Sequence, residues 1–176
     1  MEVRELHTLE DIQRRLDRIN SFLNQESFPD FEDAIAWFDY LNKIKMIQGN
    51  FSNDIGFVST LLAKRYLEEK FNLQGFNAAD KPQGAPGLDI DVKLPDGKHL
   101  VAEIKTTSPY KANDLGAQQV NTFKKDFKKL QEANADIKIF FVTEPRTFEL
   151  MKLDKYKTLL TGVHVVLLPS GKEFVA

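Results

Sequence analysis

Asp89, Glu103 and Lys105 are the residues whose types and spacing could do chemistry together. They lie in residues 87–105, Gly-Leu-Asp-Ile-Asp-Val-Lys-Leu-Pro-Asp-Gly-Lys-His-Leu-Val-Ala-Glu-Ile-Lys, two alternating runs joined by Pro-Asp-Gly. Such a pattern predicts a β-hairpin. Residues directly opposite on antiparallel strands share a face, so the register must keep apolar opposite apolar. Centring the turn on Asp96 puts Ile90 opposite Ala102, Leu88 opposite Ile104, and Asp89 opposite Glu103. Lys105 follows two residues along the same face. A shift of half a residue would pair Asp89 with Ile104 and mix the faces. Opposed Cβ atoms stand roughly 4.5–5.5 Å apart, where like charges are unfavourable. Two facing carboxylates with a lysine alongside therefore imply a bound cation, and a divalent metal beside a lysine is equipment for phosphodiester hydrolysis. Asp91 shares the face of Asp89 and is a reserve ligand should the strand carry a bulge. The same charges also suit a half-exposed hairpin whose outer positions are salt-bridged, Glu103 to Lys105 or Lys93.

The rest of the chain narrows the chemistry. With no cysteine, thiolate catalysis, disulfides and Cys-type zinc sites are excluded, and His7, His99 and His164 have no zinc-ligand spacing. No Ser-His constellation stands out either. The 176 residues are 42% apolar and 28% charged, as expected of one soluble globular domain. The charged start is no signal peptide and no apolar run nears the ~20 residues of a membrane span, so a soluble, cytoplasmic protein is expected. Net charge is only −2, but between residues 92 and 129 lysines outnumber acids about two to one. The half with the hairpin is thus locally basic.

These side chains need elements to position them. Apolar spacing predicts helices over residues 9–23, with the stripe Leu9, Ile12, Leu16, Ile19 and Leu23 and Thr8 as cap, and 31–47, rich in aromatics; residues 1–50 read as an N-terminal helical extension. These could cover the core, form a dimer surface or border a cleft. A third helix spans 53–71, with Ile55, Val58, Leu61, Leu62 and Tyr66 as its apolar stripe. Asp54 falls near that stripe and is a candidate additional metal ligand, although a first-turn carboxylate also suits the helix dipole. A Gly- and Pro-rich connector, 72–86, leads into Asp89, and its glycines either admit a large ligand or simply turn the chain. After the hairpin comes a hydroxyl-rich loop holding Thr107, Ser108 and Lys111. The fourth helix, capped by Asn113 or Asp114 and ending near residue 133, has an inner stripe of Val120, Phe123, Phe127 and Leu130. Its outer row is Gln118, Asn121, Lys125 and Lys128. The loop and that row are candidate DNA contacts, since hydroxyls and lysines suit phosphate oxygens, though any amphipathic helix has a polar outer face. A strand over 137–143, a helical segment over 146–160 and a strand over 162–168 with a short tail complete an α/β fold with a mixed sheet.

Gly87-Leu88-Asp89 followed by Glu103-Ile104-Lys105, with a helix before and a helix then a strand after, resembles the PD-(D/E)xK nuclease superfamily. The resemblance covers residues 53–168, and residues 51–176 would be the nuclease core. It implies a restriction-endonuclease-like mixed sheet flanked by helices. It also implies Mg²⁺, replaceable by Mn²⁺, held by Asp89, Glu103 and the backbone carbonyl of Ile104. Lys105 would orient or deprotonate the attacking water and stabilise the transition state. Leu88 directly precedes Asp89, with Pro86 further upstream, and Gln118-Gln119 lacks the tyrosine partner of RecB-like members, which points away from that branch. Small size and the lack of a helicase or nucleotide-binding motif make the chain most similar to a type II restriction endonuclease. A homodimer cutting both strands of double-stranded DNA at a short specific sequence would follow. A repair or junction-resolving nuclease, or a non-catalytic DNA-binding module on the same fold, are the rival readings.

Overall fold

The structure is a computed structural model and describes residues 1–82 and 84–176. Gln83, in the connector whose glycines either admit a ligand or turn the chain, lies outside the described residues. Two compact units are present, Met1–Asp54 and Ile55–Ala176.

The first unit is helical. Helix α1, Val3–Gln25, starts earlier than Thr8 predicts because Glu2 and Glu5 close its first turn, Glu2 N donating to Glu5 Oε2 at 2.7 Å. Thr8 instead donates from Oγ1 to Arg4 O. The stripe is also rotated: Ile12, Arg15, Ile19 and Phe22 are partly buried, whereas Leu16 and Leu23 are exposed. Helix α2, Ala34–Gln48, begins after Asp33, whose Oδ1 accepts from Ala36 N at 2.9 Å. Its inner side packs rings together, Phe22 tilted against Tyr40 at 4.9 Å between centroids. Helix α3, Phe51–Phe71, runs across the boundary of the units.

The second unit is an α/β sandwich of helices around one sheet. Strands β1 (Ile90–Lys93), β2 (His99–Lys105), β3 (Ile137–Val142), β4 (His164–Leu167) and β5 (Lys172–Val175) lie side by side in chain order. β1 and β2 are antiparallel, β2, β3 and β4 are parallel, and β5 returns antiparallel to β4. β5 is the strand that the charged sequence Lys-Glu-Phe-Val hid in the expected tail. Helix α4, Ala117–Glu132, crosses from β2 to β3, starting after Gly116 rather than at Asn113 or Asp114. Helices α5, Pro145–Met151, and α6, Asp154–Lys157, with a 3₁₀ turn at Thr158–Leu160, replace the single helical segment expected over 146–160.

Alternation along β2 divides the core. Leu100 and Ala102 face α3 with Ile90, Ile139, Phe141, Ala63 and Leu67. Val101 faces the other way with Phe140, Val142, Phe123, Phe127 and Leu130. The stripe expected on α3 is therefore displaced: Ile55 and Val58 are each 40% exposed, and Thr60, Ala63, Lys64 and Leu67 are the buried line. Because α3 is apolar on more than one side, periodicity alone did not single out the inner face. Among the described residues no helix is long and apolar enough to cross a membrane.

Candidate functional site

The hairpin register is the one that apolar pairing requires: Ile90 opposes Ala102, Asp91 opposes Val101, Val92 opposes Leu100 and Lys93 opposes His99. The turn explains it. Gly97 N donates to Leu94 O at 2.9 Å and Leu94 N to Lys98 O at 2.8 Å, and Gly97 takes φ 86°, a left-handed value open to glycine.

The ladder does not extend to Leu88. The chain leaves β1 at Ile90, and Leu88 packs against the cluster under α4 instead of facing Ile104. Ile104 N donates to Asp89 Oδ2 at 2.8 Å, so a carboxylate takes the place of the next ladder bond. Lys105 O accepts from Thr143 N on the β3 side. By strand alternation Ile104 turns its N–H and its carbonyl toward β1 and hence toward Asp89.

Glu103 and Lys105 project from the face of β2 that α4 covers. Glu103 is 2% exposed, an acid among Val101, Phe140 and Val142 on the strands beside it. Burial, then the charge of Asp89, pushes its carboxyl up to about 7 against an opposing hydrogen bond from Lys129, and the charge of Asp126 adds to the rise. Lys129 Nζ reaches Glu103 Oε1 at 3.0 Å, Asp126 Oδ1 at 3.3 Å and Gly87 O at 3.3 Å. Burial alone would lower the Lys129 ammonium; its bond to Glu103, with the charges of Glu103 and Asp126, raises it. Lys105 Nζ stands 2.6 Å from Asp126 Oδ2, a charge contact off hydrogen-bond alignment, since that buried oxygen has no aligned donor. Lys81 Nζ donates to Leu88 O, so a third lysine supports the segment leading into Asp89.

Asp126 and Lys129 are the participants that sequence reasoning missed. The signal was there for Asp126. Positions 123, 126, 127 and 130 make one helical stripe, and an acid at a position between three large apolar residues is a buried acid that needs a partner. Gln119, also buried, belongs to the same side of α4.

The other candidates have surroundings of their own. Asp54 belongs to the helical unit, where its Oδ1 accepts from Arg15 at 2.7 Å and its Oδ2 from Gln48 at 3.2 Å; both oxygens hold α1, α2 and α3 together there. Asp91 is exposed and bound to His99 Nε2 at 2.7 Å, an attachment that raises the His99 pKa, and β1 carries no bulge to turn it inward. Thr107 and Ser108 use their carbonyls to accept from Thr147 Oγ1 and Gln119 Nε2. Lys111, Gln118, Asn121, Lys125 and Lys128 are exposed, and Lys128 pairs with Glu132 at 3.6 Å.

Among the described residues no group of three or more histidine, aspartate or glutamate side chains is arranged to hold a metal ion. The donors present are nevertheless of the type that suits Mg²⁺, which takes oxygen ligands and is commonly held by one or two carboxylates plus water and substrate phosphates. Glu103, raised toward neutrality by burial and by Asp89, is a carboxylate short of positive charge, and Lys129 supplies it. Compared with family models, curated proteins and solved structures, the chain matches none.

Proposed function

We propose that this chain is a Mg²⁺-dependent deoxyribonuclease of the PD-(D/E)xK type on a restriction-endonuclease-like core. In this reading it acts in the cytoplasm as a homodimer on double-stranded DNA, as type II restriction endonucleases do. The observation that carries the reading is the meeting of Asp89 and Glu103 at the open end of the hairpin, with Lys105 next along the face of Glu103. Asp89, Glu103 and the Ile104 carbonyl would hold Mg²⁺, which when bound supplies Lewis-acid stabilisation of the charge on the scissile phosphate and an activated water. The protein groups then have separate tasks. Lys105, placed by Asp126, faces the reacting phosphate and meets the charge that grows on it. Lys129 balances Glu103 until substrate and cation arrive, and its reach to Gly87 O ties α4 to the segment before Asp89. The loop after β2, with Thr107, Ser108 and Lys111, and the outer row of α4 would contact the backbone phosphates.

One observation favours a second reading, a non-catalytic DNA-binding module: both lysines of the cluster already have acid partners, as in a purely structural network. Digestion of plasmid and phage DNA with Mg²⁺ separates the two. The nuclease reading expects cutting by the native chain, loss of at least a hundredfold in rate for Lys105→Ala and Glu103→Gln, and retained folding by circular dichroism. Discrete bands identify a sequence-specific enzyme and a smear a repair or non-specific nuclease. Retained DNA binding without any cutting establishes the module, and a Lys105→Ala chain that cuts at the native rate sinks the assignment.

A further inference from the structure

The segment between α1 and α2 holds large rings outward among acids. Asp33 N donates to Asp30 O at 3.0 Å and Glu32 N to Asp30 Oδ1 at 3.0 Å, so residues 30–33 form a closed turn. That turn leaves Phe31 94% exposed, and Phe28, just before it, is 72% exposed. The two rings lie 6.4 and 6.3 Å from the ring of Trp37, which is itself only half-buried. Phe28 also meets Tyr40 at 5.7 Å. These contacts anchor an apolar ledge on the core of the helical unit while its outer side stays in water. Exposed rings gathered in this way and rimmed by polar groups mark an interaction surface.

Charge selects the occupant. Residues 19–42 hold Glu26, Asp30, Glu32, Asp33 and Asp39 and no lysine or arginine. Lys43 reaches Glu26 at 4.0 Å and lies over the Phe22 ring, which places it with the inner cluster. Asp30 and Asp33 accept backbone N–H groups through Oδ1 and keep their charge. A nucleic acid has bases to stack on such rings, but its phosphates would meet acids with no cation between them. An anionic membrane is refused on the same ground. A second copy would bring the same acids to the same rings. What remains complementary is a polypeptide that carries cations beside apolar side chains. Its lysines or arginines would meet the carboxylates and the ring faces, and its apolar groups would cover Phe28 and Phe31. We propose that the ledge of Phe28, Phe31 and Trp37 docks a basic, apolar segment of another protein. The proposal concerns the helical unit and does not depend on the chemistry assigned to Glu103.

Trp37 is the one tryptophan of the chain, so its emission reports on the ledge. The full chain, without metal or DNA, is titrated with a short synthetic peptide in which leucine and lysine alternate. The Trp37 emission is expected to shift and saturate at micromolar peptide, and high salt should weaken the binding at least fivefold. A peptide with glutamate in place of lysine should not bind, and one with serine in place of leucine should bind at least tenfold more weakly. Phe31→Ser and Glu32→Lys, both at exposed positions, should each weaken binding at least tenfold with circular dichroism unchanged. An unmoved emission at millimolar peptide, equal binding of the glutamate peptide, or indifference to Phe31→Ser overturns the proposal. So does a shift produced by oligothymidylate, by phosphatidylserine vesicles or by concentrating the chain alone, each of which gives the ledge to a different occupant. The nuclease reading stands or falls on cutting, and none of these titrations bears on it.

Discussion

Glu103 sits at 2% exposure with Asp89 and Asp126 as acidic neighbours and Lys129 as its bonded cation. Its proton is held more tightly in the folded chain, where its value rises from 4.5 to about 7, than in the unfolded one. Stability referable to Glu103 is therefore full at low pH and is lost as pH climbs from the unfolded value through the folded one. Glu103→Gln, which cannot ionise, should unfold like the native chain near pH 4 and be more stable by about 1–2 kcal/mol near pH 8. Urea unfolding at the two pH values measures this; a difference that does not change with pH would remove burial as the cause. The same substitution is expected to end cleavage, which would make Glu103 a residue whose function is kept at a cost in stability.

At the scale of elements, the loop between β2 and α4 is held by side chains, not by strand pairing. Gln119 Oε1 accepts from Gly116 N at 2.8 Å and Tyr110 N at 3.2 Å, while its Nε2 donates to Ser108 O at 2.8 Å. Arg146 donates to the Lys111 and Ala112 carbonyls at 2.7 Å each. Asp114, brought down to about 2 by Lys155 and Tyr156, ties the loop to α6. Gln119→Leu keeps the volume and strips three backbone groups of their partner, so it should cost about 1–3 kcal/mol and open the loop. Trypsin cleavage after Lys111 should accelerate in parallel. An unaltered digestion rate would show that Arg146 and Asp114 suffice to hold the segment.

In the proposed homodimer the number of sites sets the number of cuts. A symmetric pair of chains has two Lys105–Glu103 sites, one for each strand of a duplex, whereas a single chain has one. Diluted until light scattering finds a monomer, the chain should then nick supercoiled plasmid to open circles while conversion to linear DNA falls at least tenfold. Gel electrophoresis over time separates the two products. Equal loss of nicking and linearisation on dilution would mean that each cut, and not only the second, needs the pair.

The sequence by itself determined the hairpin, its register, the α/β class and the inner stripe of α4, because these follow from local alternation and turn chemistry: Pro-Asp-Gly fixes the turn, and one-residue slips would move every apolar side chain to the wrong face. It also singled out Asp89, Glu103 and Lys105, since they lie on one hairpin. What the tertiary structure decided is what comes from a distance along the chain. Asp126 and Lys129 meet Lys105 and Glu103 only because α4 folds back over β2, and Asp54 takes its partner Arg15 from another helix. The inner faces of α1 and α3 were likewise misjudged where each helix has more than one apolar side, because which side is buried depends on what packs there. The buried environment that raises Glu103 is of the same kind, made by Phe140, Val142 and α4 together, and no short stretch of sequence contains it.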